Sequence, residues 1–223
     1  MLGLVTIGQT PRPDFETAFR EYVPGVDFQI VGVLDGMSTD DIAELESESG
    51  GYPLHMLLAD GSTADIQLDT MAPLVEDRMR ALVSDGVHAV GLLCTGRFPR
   101  FEVGVPVLDP GSLLPAIAGA IAPSRRVGVV TPIESQVDIV REIWEGDGFS
   151  VTVAVDSPYH EGGIEAAAAV MADARPEVVI LDCMGLGPGY RDEFARLSGV
   201  PAIAAQTLLA KVAGEVAGGL SRI

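Results

Sequence analysis

The sequence contains few residues of several types, and each shortage excludes a class of protein. Of its 223 residues, two are cysteine and 5% are aromatic. Two cysteines are explained better as free thiols of a reducing compartment than as a disulfide. The N-terminus lacks the basic region of a signal peptide, and no apolar run approaches the roughly 20 residues that span a bilayer. These shortages predict a soluble cytoplasmic protein without a membrane partner. Few aromatic side chains leave no obvious interface anchor, so the oligomeric state stays open, with a homo-oligomer as one option.

Positive charge is the next shortage. The chain has a single lysine, Lys211, and its formal net charge is −18. Such a negative field repels a phosphate backbone, which argues against a nucleic-acid partner. A high-salt cytoplasm and genomic base composition both remain open as reasons for the acidic composition.

Hydrophobic patterning predicts strands that alternate with helices along the whole chain. Predicted strands cover residues 3–7, 28–34, 52–58, 64–68, 90–94, 105–108, 127–130, 149–155, 178–181 and 201–204. Predicted helices cover residues 15–22, 40–48, 72–84, 113–122, 134–144, 164–172, 191–197 and 206–217. The alternation predicts an α/β fold with mainly parallel sheets. The strands at 52–58 and 64–68 flank Asp60-Gly61, a typical hairpin signal. Thr10 is the predicted N-cap of the first helix, and Ser38 or Thr39 that of the second.

Both cysteines lie at the ends of apolar runs. Val90–Gly96 ends in Cys94-Thr95-Gly96, and Val178–Gly185 ends in Cys183-Met184-Gly185. Apolar runs of four to eight residues between turn signals are typical of buried strands. In an open parallel sheet, ligands bind beyond the carboxyl ends of the strands. The pattern therefore predicts two thiols that face one cleft.

The two halves of the chain resemble each other in order, which favours an internal duplication. The matched landmarks are Thr6 with Thr131, Arg20-Glu21 with Arg141-Glu142, Phe28 with Phe149, Leu34-Asp35 with Val155-Asp156, Cys94 with Cys183, and Gly104-Val105-Pro106 with Gly199-Val200-Pro201. Short apolar matches between any two α/β halves are the alternative. The duplication predicts a first domain over 1–122, with a hairpin insertion near 52–68, and a second over 123–223. The C-terminal helix is free to pack back on the first domain.

Three segments together resemble the AroM family over nearly the whole chain. They are Thr6–Asp14, with its Gly-Gln-Thr-Pro-Arg run, Leu92–Gly96 and Asp182–Gly185. That family is similar in turn to the aspartate/glutamate/hydantoin racemase superfamily. The resemblance implies two pseudo-symmetric α/β domains with an active site in the cleft between them. It also implies cofactor-independent chemistry at a carbon next to a carboxylate, with Cys94 and Cys183 at the two catalytic positions.

The motifs also depart from the racemase pattern. Thr95-Gly96 stands where racemases usually have Asn-Thr, and Met184 where they usually have Thr. Several relatives carry a histidine beside the second thiol, and none is near Cys183 in this sequence. The departures keep two alternatives open. One is a non-catalytic protein that binds a small carboxylate, and the other is a decarboxylase-like lyase with one active thiol.

The chemistry needs a base on one face of the carbon and an acid on the other, and two thiols supply both. A glycine two residues after each cysteine marks a turn whose N–H groups can stabilise an anion. Arg12 is the predicted carboxylate ligand, because guanidinium binds carboxylate in a two-pronged fork. The remaining predicted substrate-binding residues are Gln9, Thr10, Thr95, Gly96, Thr131, Met184 and Gly185. The alternative for each cysteine is a small buried side chain at a strand end, and for Arg12 a surface ion pair with Asp14 or Glu16.

Neither a cofactor nor a metal is predicted. The sequence around Gly8-Gln9-Thr10 lacks the glycine spacing and lysine of a P-loop. His55, His88 and His160 do not stand at a familiar metal-ligand spacing. The predicted partner is therefore a small carboxylate-bearing metabolite.

Overall fold

A computed structural model describes residues 1–46, 51–159 and 162–218. In this part of the chain the strands form two four-stranded sheets and one two-stranded sheet. All recorded strand pairs in the two larger sheets are parallel, which confirms the predicted α/β class. The predicted helix end at Glu48 and the predicted loop residue His160 lie outside the described residues.

The elements follow the predicted order. The strands are β1 (Leu2–Thr6), β2 (Phe28–Gly32), β3 (Pro53–Leu57), β4 (Thr63–Gln67), β5 (Ala89–Leu93), β6 (Val107–Leu108), β7 (Arg126–Thr131), β8 (Ser150–Val155), β9 (Val178–Leu181) and β10 (Ala202–Ala204). The α-helices are α1 (Pro13–Tyr22), α2 (Thr39–Glu46), α3 (Leu68–Ser84), α4 (Pro110–Ile121), α5 (Val137–Gly146), α6 (Ile164–Ala174), α7 (Pro188–Ser198) and α8 (Ala205–Gly218). A short 3₁₀ helix, Glu134–Gln136, precedes α5. None of the described helices is long and apolar enough to cross a membrane.

The first sheet has the strand order β2-β1-β5-β6. Its central strands β1 and β5 are buried along their whole lengths. A parallel strand that is covered on both faces has a continuous apolar sequence rather than an alternating one. This is why apolar runs, and not period-two patterns, predicted these strands.

Helix α1 begins differently from the prediction. Pro13 is its first residue and Arg12 occupies the N-cap position, without a side-chain cap. Proline suits the first helical position because it has no N–H to leave unpaired there. The predicted cap, Thr10, instead donates its backbone N–H and its hydroxyl to the carboxylate of Asp35. The prediction of Thr10 as the N-cap was therefore wrong.

The hairpin prediction is confirmed. Strands β3 and β4 pair antiparallel, with Leu57 opposite Thr63 at the turn. Gly61 has a φ of +87°, a conformation that glycine adopts without strain. The side chains of the hairpin alternate between faces. Those on one face are buried, namely Leu54, Met56, Ala64 and Ile66.

The second sheet has the order β10-β9-β7-β8. Read from the other edge, this repeats the order of the first sheet: second strand, first strand, third strand, fourth strand. Its apolar cluster includes Val130, Leu181 and Cys183, with α6 and α7 supplying Met171 and Phe194. The two sheets therefore have the same topology.

Hydrogen-bond register makes the equivalence exact around the cysteines. Val5 pairs with Leu92 in the first sheet, and Val130 pairs with Leu181 in the second. Cys94 comes two residues after Leu92, and Cys183 comes two residues after Leu181. The fourth strands agree too, because Val90 donates its N–H to Pro106 O and Val179 donates to Pro201 O. The matches of Cys94 with Cys183 and of Pro106 with Pro201 therefore hold at the level of single residues.

Register overturns the match in the second strand of each sheet. Thr6 pairs with Gly32, whereas Thr131 pairs with Val155. Gly32 is thus the equivalent of Val155, and the predicted match of Leu34 with Val155 is wrong by two residues. A shift of two residues leaves every side chain on the same face of the sheet, so the apolar pattern does not reveal it.

The chain divides into two compact units. The first contains Met1–Pro110 and the residues from Leu209 onward, and the second contains Gly111–Leu208. Helix α4 therefore belongs almost wholly to the second unit, whereas the sequence pattern grouped it with the first. In the first unit, Leu209, Ala210 and Ala213 of α8 are fully buried. Gly214 lies so close to Tyr22 that a Cβ atom there would be 2.8 Å from the Tyr22 carbonyl oxygen.

Candidate functional site

Cys94 follows the last residue of β5, at the carboxyl end of the first sheet. It forms no disulfide, and the residue is 7% exposed. The backbone N–H of Gly96 donates a hydrogen bond to its sulfur, with 3.5 Å between nitrogen and sulfur. A Cβ atom at Gly96 would lie 2.8 Å from a methyl carbon of Leu54 on the hairpin. The absence of a side chain at Gly96 therefore lets the turn that carries Cys94 pack against the hairpin.

Arg12 is buried rather than on the surface, with 5% of the residue exposed. Its Nε and Nη2 donate to the two carboxylate oxygens of Asp14, at 3.0 and 2.6 Å. Its Nη1 donates to Thr6 Oγ1 at 3.3 Å, and its guanidinium carbon lies 3.9 Å from the centre of the Phe15 ring. The ion pair with Asp14 matches the alternative prediction, but the burial does not. This bond connects the guanidinium to the end of β1. Thr6 pairs there with Leu93, the residue before Cys94.

Gln9 and Thr10 bond within the protein. Gln9 donates its side-chain amide to Leu34 O at 3.1 Å and accepts the N–H of Ala59 at 2.9 Å. The Thr10 backbone N–H and hydroxyl are bound by Asp35, at 2.7 and 2.9 Å. These contacts fasten the β1–α1 loop to the β2–α2 loop and to the hairpin. Both predicted substrate-binding side chains therefore shape the loop that carries Arg12.

Cys183 is the counterpart of Cys94 at the end of β9. It forms no disulfide and is 8% exposed. The Leu186 N–H donates to the Cys183 carbonyl at 3.1 Å, and Gln206 donates its side-chain amide to Met184 O at 2.9 Å. A Cβ atom at Gly185 would lie 2.6 Å from Pro158. The turn after β9 is thus held from both sides, which fixes the thiol.

Thr131 is fully buried at the end of β7. Its hydroxyl donates to the side-chain oxygen of Gln136, which lies in the short 3₁₀ helix. Thr95 is also buried, with 9% of the residue exposed. The structure therefore groups the predicted residues by unit: Gln9, Thr10, Arg12, Cys94, Thr95 and Gly96 in the first, and Thr131, Cys183, Met184 and Gly185 in the second.

Asp156 and Tyr190 form a pair beside Cys183 that the sequence pattern did not single out. The Tyr190 hydroxyl donates to Asp156 Oδ2 at 2.6 Å. Burial raises the pKa of the Asp156 carboxyl, and the Tyr190 hydroxyl partly offsets that rise. Burial also raises the pKa of Tyr190 far above its ordinary value, with further increases from its hydrogen bond to Asp156 and from the charges of Asp156 and Cys183. Asp156 follows a strand end, as the cysteines do, and that position was the available signal. Tyr190 lies on α7 and had no signal in the sequence.

A cavity of about 430 Å³ opens at the carboxyl ends of β7 and β8. Asp156, Glu134 and Ser157 supply polar groups to its wall, beside the apolar side chains of Pro132, Ile133 and Val155. This is the edge of a parallel sheet at which ligands bind. Among the described residues, no group of three or more His, Cys, Asp and Glu side chains is arranged to hold a metal ion.

Comparison with known proteins adds a family and a set of related folds. The family model described as AroM protein matches residues 2–217. No curated protein matches the sequence. Among solved structures, allantoin racemase from Klebsiella pneumoniae is 14% identical, with a TM-score of 0.60 over 99% of this chain and 89% of the other. Unliganded arylmalonate decarboxylase is 16% identical, with a TM-score of 0.63 over 98% of this chain and 92% of the other.

A third solved structure is glutamate racemase from Francisella tularensis subsp. tularensis SCHU S4 in complex with D-glutamate. It is 14% identical, with a TM-score of 0.62 over 99% of this chain and 81% of the other. Identities this low establish the fold alone. The chain therefore shares its fold with members of the aspartate/glutamate/hydantoin racemase superfamily.

Proposed function

The chain belongs to the AroM protein family, and from this premise we propose that it is a cofactor-independent isomerase or racemase. It acts at a carbon next to the carboxylate of a small acid. One observation carries the proposal: Cys94 and Cys183 occupy equivalent register positions at the carboxyl ends of two sheets with the same topology. Chance rarely places the only two thiols of a chain at equivalent positions.

The reaction needs one thiolate and one thiol. The thiolate removes the proton next to the carboxylate, so that an S–H bond forms, the C–H bond breaks and the electron pair moves onto the carboxylate as an enediolate. The thiol then delivers its proton to the opposite face of the carbon. General acid–base catalysis by positioned side chains typically contributes 10²–10⁴-fold to the rate. Both thiols are buried, and removal from water strengthens electrostatic interactions with the enediolate.

Arg12 is the proposed ligand of the substrate carboxylate. Its side chain is buried and held in place by Thr6, Asp14 and Phe15, and a fixed guanidinium binds a carboxylate with little loss of conformational freedom. The D-glutamate in the Francisella tularensis structure is a carboxylate of the size expected for this substrate. Cysteines that form no disulfide also suit a reducing compartment, so the proposed location is the cytoplasm.

Hydrogen exchange tests the proposal directly. The purified protein is incubated in deuterium oxide with a panel of amino acids and other α-substituted acids, and exchange at the carbon next to the carboxylate is followed by NMR. The wild type is expected to exchange at least one of them. Cys94→Ala and Cys183→Ala, and the closer mimics Cys94→Ser and Cys183→Ser, are expected to lose at least about 100-fold of that rate.

The same variants separate the alternatives. A binding protein without catalytic activity would show no exchange, and its thermal stabilisation by a carboxylate would survive replacement of both cysteines. A decarboxylase-like lyase would release carbon dioxide from a malonate and need one cysteine. Far-ultraviolet circular dichroism confirms that each variant is folded. Absence of exchange from the whole panel by folded wild-type protein would contradict the proposed function.

A further inference from the structure

The guanidinium of Arg12 lies in a buried socket, and the carboxylate that occupies one edge of it is partly solvated. Thr6, which is fully buried, accepts a hydrogen bond from Nη1, and the buried Phe15 ring covers one face of the guanidinium. The edge formed by Nε and Nη2 donates to both carboxylate oxygens of Asp14. The Asp14 side chain is 43% exposed, whereas that of Arg12 is 4% exposed. The socket is therefore buried, but its carboxylate occupant is not.

This burial distinguishes Arg12 from the arginines of four other recorded ion pairs. The side chains of Arg80, Arg141, Arg191 and Arg196 are between 25% and 67% exposed. Desolvation offsets the attraction within a buried pair, so such a pair contributes little to stability. Stabilisation of the fold alone thus does not explain why the chain buries this guanidinium. A binding role explains it, because a fixed and desolvated guanidinium attracts an anion more strongly than a solvated one does.

Asp14 can leave this edge by rotation of its own side chain. Among the described residues, its carboxylate oxygens bond to Arg12 alone. Asp14 also lies in the first turn of α1, where the unpaired N–H groups of the helix favour a nearby carboxylate. The bond from Arg12 to Thr6 and the contact with Phe15 do not involve Asp14. They therefore hold the guanidinium in place after Asp14 has left.

An incoming carboxylate matches the edge that Asp14 leaves. It accepts the same two N–H groups in the same two-pronged arrangement. The exchange replaces one negative charge with another, so the buried cation has a negative partner before and after it. Asp14 competes from two positions along the chain, at a high effective concentration. This competition lowers the apparent affinity of Arg12 for any carboxylate in solution.

We propose that the substrate carboxylate displaces Asp14 from the Nε–Nη2 edge of Arg12, and that Asp14 closes the socket in the resting protein. The displacement rests on the proposed function, in which Arg12 is the ligand of the substrate carboxylate. It makes Asp14 an autoinhibitory contact with a role in selectivity. Acids that bind through the carboxylate alone compete poorly with Asp14, so the contact favours acids that carry additional binding groups.

Acetate tests the displacement, because it carries a carboxylate and little else. The melting temperature of each variant is measured against acetate concentration, with sodium chloride at equal ionic strength as the blank. The apparent dissociation constant is expected to decrease in the order wild type, Asp14→Asn, Asp14→Ala, and to be at least about 10-fold lower in Asp14→Ala than in the wild type. The Asn variant is intermediate because its amide offers one acceptor oxygen and no charge. Circular dichroism confirms that each variant is folded.

Two control variants separate the socket from the net charge. Asp138→Ala removes the same charge from the pair with Arg141, whose side chain is 41% exposed, and is expected to bind acetate as the wild type does. Arg12→Lys in the Asp14→Ala background keeps the positive charge without the two-pronged edge, and is expected to abolish the gain in affinity. Acetate affinity equal to that of the wild type in both folded Asp14 variants would overturn the displacement. An equal gain in Asp138→Ala, or a gain that persists in the Arg12→Lys double variant, would also overturn it.

The acetate titration needs no turnover, so its failure is distinct from failure of the proposed function. Tighter acetate binding by the Asp14 variants, without hydrogen exchange by any acid, would contradict the function and support displacement of Asp14 by a carboxylate. Hydrogen exchange with an unchanged acetate affinity would support the function and contradict the displacement.

Discussion

At the scale of single residues, close backbone approach explains several glycines better than chain flexibility does. Gly8 in the β1–α1 loop is an example: a Cβ atom there would lie 2.1 Å from the backbone oxygen of Leu57. The neighbouring Gln9 N–H donates to that same oxygen at 3.2 Å. The loop that carries Arg12 thus rests directly on the hairpin backbone, which cannot move aside as a side chain would.

Gly8→Ala is therefore expected to lower the free energy of unfolding by about 3 kcal/mol, at the upper end of what overpacking typically causes. Chemical denaturation followed by circular dichroism measures it. Gly146→Ala is the control, because a Cβ atom at that helix-end glycine meets nothing within 4 Å. Equal stability of the Gly8→Ala variant and the wild type would show that the loop relaxes away from the hairpin.

At the scale of elements, the sequence predicted the order and type of the helices and strands well, and their pairing less well. Ser38 or Thr39 was the predicted N-cap of helix α2. The structure selects Ser38, whose Oγ accepts the Asp41 N–H at 3.2 Å while Asp41 Oδ2 accepts the Ser38 N–H at 2.9 Å. Caps like this are local, so a stretch of four residues suffices to predict them. The match of Leu34 with Val155 failed because register depends on a neighbouring strand that is distant in sequence.

Replacement of the capping hydroxyl tests this element. Ser38→Ala is expected to reduce the free energy of unfolding by about 1 kcal/mol, since it leaves helix N–H groups without their acceptor. Thr39→Ala, at the neighbouring position, should change it by less than about 0.5 kcal/mol. Thermal unfolding of both variants distinguishes the two residues. A larger loss of stability in Thr39→Ala than in Ser38→Ala would contradict the assignment of the cap to Ser38.

The candidate site illustrates the same limit. The thiols and Arg12 were predictable because their residue types and strand-end positions are visible in the sequence. The bond from Tyr190 to Asp156 spans 34 positions and joins α7 to the end of β8. No short pattern encodes it. The internal bonds of Gln9 and Thr10 were missed for the same reason, because their partners lie on a second loop and on the hairpin.

At the scale of the whole molecule, the net charge of −18 opposes compaction. Salt screens this repulsion, with a Debye length of about 30 Å at 0.01 M and about 3 Å at 1 M. The melting temperature at pH 7 is expected to rise between these salt concentrations. A stabilisation of about 1 kcal/mol corresponds to roughly 2–4 °C for a chain of this size. The same experiment near pH 4.3, the isoelectric point, is the control and should show a much smaller rise. An equal rise at both pH values would point to salt effects other than screening.

The return of α8 to the first unit has a consequence for biosynthesis. The second unit is encoded by one continuous stretch, Gly111–Leu208, whereas the first needs both Met1–Pro110 and the buried residues Leu209, Ala210 and Ala213. A ribosome delivers the chain from its N-terminus at about 5–20 residues per second. The unit that is translated first therefore waits for its last helix until the other unit has left the exit tunnel. During that interval, the α8-facing surface of the nascent first unit is open to chaperones.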